Sequence, residues 1–272
     1  MQWLSLNGRL VQRGEATISA LDPAVVHGRA LIETFRSHKG RVFRLAKHYE
    51  RLCSGAPVLG LTIPLTLPDL EATIADVLAG NEAQDARLRL TVSAGAVMLT
   101  AAPLTDYPPE LYERGMHATI ADVRRNETSP LSRVKCAAGL LDGVLARERA
   151  RNAGFDEAIM LNTQGHVAEA TVSNVFVMRE GRLLTPTIES GALPGVTRSA
   201  VLDLARESGI EAAEAELTLG GLRTSDEAFL TNSVMGVMPL TRLEGDPIGD
   251  GNLGALTAQL SRCYHDAVTA VA

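Results

Sequence analysis

The chain has 272 residues, 46% hydrophobic and 21% charged, and its 32 acidic against 26 basic side chains give a net charge of −6. The length suits one large or two modest domains, the dispersed basic residues argue against a general nucleic-acid binder, and no apolar run approaches the ~20 residues of a membrane span. Cys53, Cys136 and Cys263 are widely spaced without metal-ligand patterning, and MQWLSLNGRL has no signal-peptide pattern, so a reduced, cytoplasmic protein is expected. WLSLNGRLV reads as two short strands around an Asn-Gly turn, and LIETFRSHKGRVFRL as a second hairpin turning at Lys39-Gly40. LAKHYERLCSGAPVLGL carries apolar residues at helical intervals, and LPDLEATIADVLAG sets Leu70, Ile74, Val77 and Leu78 along one helical stripe. In ARLRLTVSAG the period becomes two, with Leu88, Leu90 and Val92 facing one way and Arg87, Arg89 and Thr91 the other.

Three prolines within 103–109 interrupt both periodicities. They mark a linker, 103–111, between a smaller N-terminal α/β domain, 1–102, and a larger C-terminal domain, 112–272. The second domain opens with a strand near 116–123 and a helix over about 137–152 bearing Leu140, Leu141, Val144 and Leu145. Three β segments follow, EAIMLN, EATVSNVFVM and RLLTP, separated by QG and EG turns. TRSAVLDLARESG is a helix stopped by Gly209, EAFLTNS is a strand, and the last twenty residues read as helix. Hairpin signals outnumber strand–helix–strand units, so the fold class is α+β, with mostly antiparallel sheets flanked by helices.

Three features carry chemistry. Lys135 lies between a predicted strand and helix with Val134, Cys136 and Ala137 around it. Taken alone it is a surface charge; partly desolvated, it becomes a neutral nucleophile able to form an imine and to move a proton at a substrate carbon. Glu169 interrupts the small, apolar strand HVAEATVSNVFV, and burying a carboxylate is costly unless something cationic or protonated meets it. A pyridinium nitrogen is such a partner; an exposed edge-strand glutamate is the plainer reading. LPGVT puts Gly195 ahead of a helix whose first N–H groups, with the Thr197 hydroxyl, can cradle a phosphate or simply form an N-cap. Asn232 and Ser233 could add donors, and Arg44 could pair with phosphate bidentately. Amine, carboxylate and phosphate turn are what a protein must offer pyridoxal 5'-phosphate (PLP), which brings its own electron sink.

GRVFRLAKHYERL, the lysine, EATVSNVF, SGALPGVTR and TNSVMGVMPL come in the order seen in the class IV aminotransferase family, and the chain resembles that family over nearly its whole length. These fold-type IV PLP enzymes include branched-chain aminotransferases, D-amino acid aminotransferases and aminodeoxychorismate lyase. The resemblance implies a two-domain, D-amino acid aminotransferase-like fold, a homodimer, and a small amine or amino acid substrate. It makes Lys135 the imine lysine, Glu169 the partner of the ring nitrogen, and Leu193 a residue packed on the ring. Ser173 and Asn174 join the cofactor site, and Arg44, Gly195, Val196, Thr197, Ser233 and Val234 lie around the phosphate.

Within the family, TNSVMGVMPL and the position of Thr34 in LIETFRS look most like the lyases. In that reaction Lys135 removes the proton at the amine-bearing carbon, with Thr34 near the cofactor; pyruvate is eliminated and 4-aminobenzoate forms. The lyase is the preferred expectation. The alternative is an aminotransferase acting on branched-chain L-amino acids or D-amino acids with a 2-oxo acid acceptor, which uses the same lysine and glutamate. A non-catalytic PLP or amine binder is the third reading. The substrate pocket departs from the family at Ala94, Ala138 and Arg29, so Arg29 or Arg89 is expected to hold a substrate carboxylate, with His27 and Asn232 nearby. Either arginine is as readily a surface charge. His38, His48, His117, His166 and His265 show no metal-ligand spacing and read as ordinary surface or hydrogen-bonding residues, and no metal site is expected.

Overall fold

The computed structural model describes residues 1–104 and 107–270; Thr105 and Asp106, within the expected linker, lie outside the described residues. Two compact units are present, the first of Met1–Thr105, Val134–Gly139 and Val268–Ala272, the second of Asp106–Arg133 and Leu140–Ala267. Val134–Gly139, which the linear reading assigns to the C-terminal domain, thus belongs to the first unit.

The first unit contains β1 (Trp3–Leu6), β2 (Arg9–Gln12), α1 (Pro23–His27), β3 (Leu31–His38), β4 (Arg41–Val42), α2 (Leu45–Gly55), α3 (Leu67–Gly80), β5 (Ala86–Val92) and β6 (Val97–Pro103). Its strands form one sheet in the order β2-β1-β6-β5-β3-β4, with every pairing antiparallel. The Asn7-Gly8 turn works because both residues take positive φ, 52° and 76°, which matches the twist of a two-residue hairpin. α2 stops at Gly55, short of the helical pattern, and Pro57–Leu59 continues as a 3-10 turn because Pro57 has no N–H to extend the ladder. A capping box, Thr66 with Asp69, opens α3 and leaves Leu70, Ile74, Val77 and Leu78 buried as the spacing predicts. Leu88, Leu90 and Val92 are fully buried, while Arg89 and Thr91 sit on the more open face.

The second unit contains α4 (Pro109–Arg114), β7 (Met116–Ile120), α5 (Ala137–Asn152), β8 (Glu157–Leu161), β9 (His166–Ala170), β10 (Asn174–Arg179), β11 (Arg182–Pro186), α6 (Val196–Glu207), β12 (Ala212–Ala215), β13 (Leu217–Thr218), α7 (Leu219–Arg223), β14 (Glu227–Asn232), β15 (Gly236–Leu243), β16 (Asp246–Pro247) and α8 (Ala255–Ala270), with the first residues of α5 and the last of α8 assigned to the first unit. α4 begins inside the span read as linker, because Pro109 is suited to the first turn of a helix. The sheet runs β12-β11-β10-β14-β15-β7-β8-β9-β13, with β16 beside β15. EATVSNVFVM, expected as one strand, is two: β9 pairs with β8, β10 pairs with β14, and Thr171–Ser173 turns the chain between them.

α5 inverts its expected stripe. Leu141, Val144 and Leu145 are 58%, 51% and 41% exposed, whereas Gly143, Ala146 and Ala150 are buried. Small residues let the helix backbone lie against Ala121, Ala158 and Met160, and a Cβ on Gly143 would run into the Thr171 carbonyl. Gly143→Ala should therefore lower stability by about 1–3 kcal/mol, read as a reduced midpoint in urea unfolding; an unchanged midpoint would refute the close approach.

Candidate active site

In the second unit the structure draws several of the expected residues into one bonded group. Glu169 lies on β9 opposite Met160 of β8, with its side chain 11% exposed. Its Oε1 is 3.1 Å from Arg125 Nε, and its Oε2 accepts the Leu193 N–H at 2.9 Å. The Leu193 carbonyl accepts from Asn174 Nδ2 at 2.8 Å, so Leu193 is pinned at both its N–H and its C=O. Arg125 also donates to the carbonyls of Gly191 (3.1 Å) and Ser132 (2.9 Å), which holds the loop leading to LPGVT. The buried charge of Glu169 is thus answered by a guanidinium and a backbone donor.

Gly195 is the N-cap of α6, and no side chain caps that helix. A Cβ at Gly195 would collide with Asn174 Oδ1, so glycine alone fits against the amide. The helix has twelve residues and no acidic group in its first turn, leaving the partial positive charge of its N-terminus for an anion. Thr197 is buried, 3.4 Å from the Tyr264 hydroxyl. Ser173 is buried as well, and its hydroxyl has no hydrogen-bond partner among the described residues. Asn232, expected as a donor to ligand, is instead committed to backbone: its Oδ1 accepts the N–H groups of Val234 and Met235, both at 2.9 Å. Its Nδ2 donates to Val172 at 3.2 Å. Asn232 therefore joins the turn that carries Ser233 and Val234 to the Thr171–Ser173 turn.

Lys135, in the first unit, is carried on the edge of β3. Its carbonyl accepts the Ile32 N–H at 2.9 Å, and Ala137 N–H reaches Ala30 at 2.9 Å, closing an antiparallel bridge between Leu31 and Cys136. Val134 and Cys136 are buried on either side of it. Thr34 and Arg89 are cross-strand partners of β3 and β5. Burial, with Arg87 beside it, pushes the Arg89 guanidinium below its usual range. Arg29 is otherwise engaged: its guanidinium donates to the Leu59 carbonyl at 2.6 Å and to Gly60 at 3.0 Å, tying down the 3-10 turn after α2. His27 is exposed at the end of α1. Arg44 takes a left-handed conformation (φ 52°) at the start of α2, its guanidinium 5.5 Å from the Phe43 ring centre.

Sequence reasoning missed one cluster. Glu33 of β3 is 1% exposed and His48 of α2 is 2% exposed. Arg51 Nε and Nη2 grip the two Glu33 oxygens at 2.8 and 2.7 Å, and His48 Nδ1 lies 2.8 Å from Glu33 Oε2. The signal was present: a glutamate inside the apolar strand LIETF, followed by a histidine and an arginine three apart on one helix. Among the described residues no group of side chains could hold a metal ion, and no helix is long and apolar enough to cross a membrane.

Residues 30–243 match the family described as amino-transferase class IV. A Methanocaldococcus jannaschii protein provisionally named a branched-chain-amino-acid aminotransferase is 34% identical, over 96% of this chain and 94% of its own length. This chain belongs to the class IV aminotransferase family. A solved branched-chain aminotransferase from Thermoproteus uzoniensis, with norvaline, superposes at a TM-score of 0.91 with 29% identity, covering 98% of this chain and 95% of that one. The PLP form of the branched-chain amino acid aminotransferase from Thermobaculum terrenum gives 0.88 and 26%, covering 99% and 94%. The fold is thus the expected fold-type IV architecture. The same relatives overturn the aminodeoxychorismate lyase expectation: similarity over almost the whole chain runs to branched-chain aminotransferases, and outweighs the local likeness of TNSVMGVMPL and Thr34. With the lyase reading goes the place given to Thr34 in that reaction.

The Glu33 cluster also makes a pH prediction. Burial raises the Glu33 carboxyl, but Arg51 and the hydrogen bonds from His48 and Arg51 overcome it and hold the group at about 2, against an ordinary 4.5. Because the folded value is depressed, its stabilisation is present above pH 4.5 and is lost as pH falls toward 2. Burial likewise lowers His48, so stability also drops as acid charges this imidazole in the unfolded chain. Glu33→Gln should cost about 3 kcal/mol at neutral pH and flatten the acid limb of the stability profile. Parallel acid limbs for the two proteins, in unfolding at stepped pH, would contradict the assignment.

Proposed function

We propose that this protein is a PLP-dependent aminotransferase that transfers the amino group of branched-chain L-amino acids to a 2-oxo acid. The observation that carries the cofactor reading is the buried Glu169 carboxylate bonded to Leu193 N–H, next to an uncapped helix N-terminus. The substrate class rests on the names of the relatives similar over nearly the whole chain. The donor set fits the cofactor: a desolvated carboxylate for a protonated ring nitrogen, helix N–H groups for a dianion, and a buried Ser173 hydroxyl with hydrogen-bonding capacity to spare.

When bound, PLP supplies the electron sink that makes the proton on the substrate's amine-bearing carbon removable. Lys135 would hold the cofactor through Nζ and, as a neutral amine, would move the proton at that carbon. Glu169 would keep the ring nitrogen protonated, and Leu193, fixed at both its N–H and its C=O, would pack on the ring. Val196, Thr197 and Gly195 of the α6 start, with Ser233, Val234, Ser173, Asn174 and Arg44, would bind the phosphate. Arg89 rather than Arg29 takes the substrate carboxylate, since Arg29 is spent on Leu59 and Gly60, while half-buried Arg89 gains most from an anion.

Purified protein should be yellow and should exchange amino groups between L-isoleucine, L-leucine or L-valine and 2-oxoglutarate. Lys135→Ala should lose both colour and exchange, and Arg89→Gln should raise KM about tenfold with little change in kcat. Preference for D-amino acids, or exchange surviving in Lys135→Ala, would reject the proposal.

The active form is a homodimer. Leu141, Val144 and Leu145 form an exposed apolar row at spacings of three and four along α5, and such a row on one helix face marks a contact surface. Light scattering should give about twice the 28.9 kDa chain mass, falling toward the single chain in Leu141→Glu/Leu145→Glu; a wild-type protein of single-chain mass would overturn this.

A further inference from the structure

The chemistry assigned to Lys135 needs an amine whose charge is controlled, and the first unit places a closed charge network on the strand that carries it. Ile32 N–H holds the Lys135 carbonyl at 2.9 Å, and the next residue on β3 is Glu33, fully buried beneath α2. Arg51 grips both oxygens of Glu33, and His48 completes the carboxylate's shell at 2.8 Å. The imidazole stands edge-on to Phe35, with ring centres 4.9 Å apart and planes at 85°. β3 therefore serves as a common rail: Ile32 holds the Lys135 backbone at its edge and the adjacent Glu33 carries the network on its covered face.

We infer that Glu33, His48 and Arg51 act as positioning residues that set the charge state of Lys135. The inference rests on reading Lys135 as the cofactor-linking lysine. The charges acting on His48 come from three segments, Glu33 of β3, Arg51 of its own helix and Lys135 beside β3. The coupling between His48 and Lys135 is mutual: the cation at Lys135 disfavours a proton on His48, and a proton on His48 equally disfavours the cation. Burial is the largest influence keeping His48 neutral. Glu33, an ionised carboxylate, is an acceptor only, so the His48 proton sits on Nδ1. Glu33 and Arg51 then cancel, and the network presents zero net charge to Lys135 in surroundings where an uncompensated charge would be felt strongly.

This arrangement has a signed consequence. Glu33→Gln leaves Arg51 uncancelled and should lower the pH midpoint of the visible band of the PLP-loaded protein, which reports the proton on the nitrogen joining Lys135 to the cofactor. Arg51→Gln leaves Glu33 uncancelled and should raise it. Each shift should reach about 0.5 on the pH scale or more, the double variant should return near wild type, and Arg51→Lys, which keeps the charge, should stay near it too. A purely structural role predicts shifts of the same sign, or none, in folded single variants, and either result overturns the inference. Should Glu33→Gln not fold, the contrast of Arg51→Gln with Arg51→Lys decides by sign. A wild-type band that survives Lys135→Ala removes the underlying assignment of Lys135 and this inference with it; a Lys135-dependent band that ignores the charge variants removes only the inference.

Discussion

A carboxylate leaves water at low cost only when something answers its charge, and Glu169 and Glu33 are two buried carboxylates of this chain for which that holds. Glu169 is met by Arg125 and by the N–H of Leu193; Glu33 is met by Arg51 and His48. Neither could be buried on the strength of packing, because desolvating an ion costs several kcal/mol before any compensation. In both units, the charged pair also adjoins backbone that carries candidate site residues. Arg125 bonds the carbonyls of Gly191, just ahead of LPGVT, and of Ser132, and Glu33 adjoins Ile32, whose N–H holds the Lys135 carbonyl.

Polar side chains, rather than apolar contacts, hold the loops that bear candidate site residues. Asn174 fixes Leu193, and Asn232 gathers the N–H groups of Val234 and Met235 while reaching back to Val172. Each amide satisfies backbone groups that a loop would otherwise leave to water. The fitting of Gly195 against Asn174 follows from the same economy of space. A loop fixed by directional bonds keeps its N–H groups aimed, which is what binding an anion demands.

The lyase expectation failed for an instructive reason. The resemblance gives Lys135, Glu169 and the LPGVT turn the same cofactor-holding parts in either reaction, so these motifs report the cofactor and not the product. TNSVMGVMPL spans the end of β14, a turn and the start of β15, and its Asn232 is occupied with that turn's own backbone. Similarity spread over the whole chain weighs more, because it includes the residues that shape a pocket without carrying a motif.

The linear order of residues determined the elements whose signal is local. These are the Asn7-Gly8 and Lys39-Gly40 hairpins, the stripe of α3, the alternation of β5, and the start of α6 behind Gly195. Such features depend on neighbours within a turn or a pleat. What tertiary structure alone decided is long-range: the splitting of EATVSNVFVM between two strand partners, and the outward turn of Leu141, Val144 and Leu145. To these belong the diversion of Arg29 to two carbonyls and the joining of Glu33 to residues 15 and 18 positions away. In each case the side chain's partner is chosen by what lies opposite it in space, and periodicity along the chain carries no record of that choice.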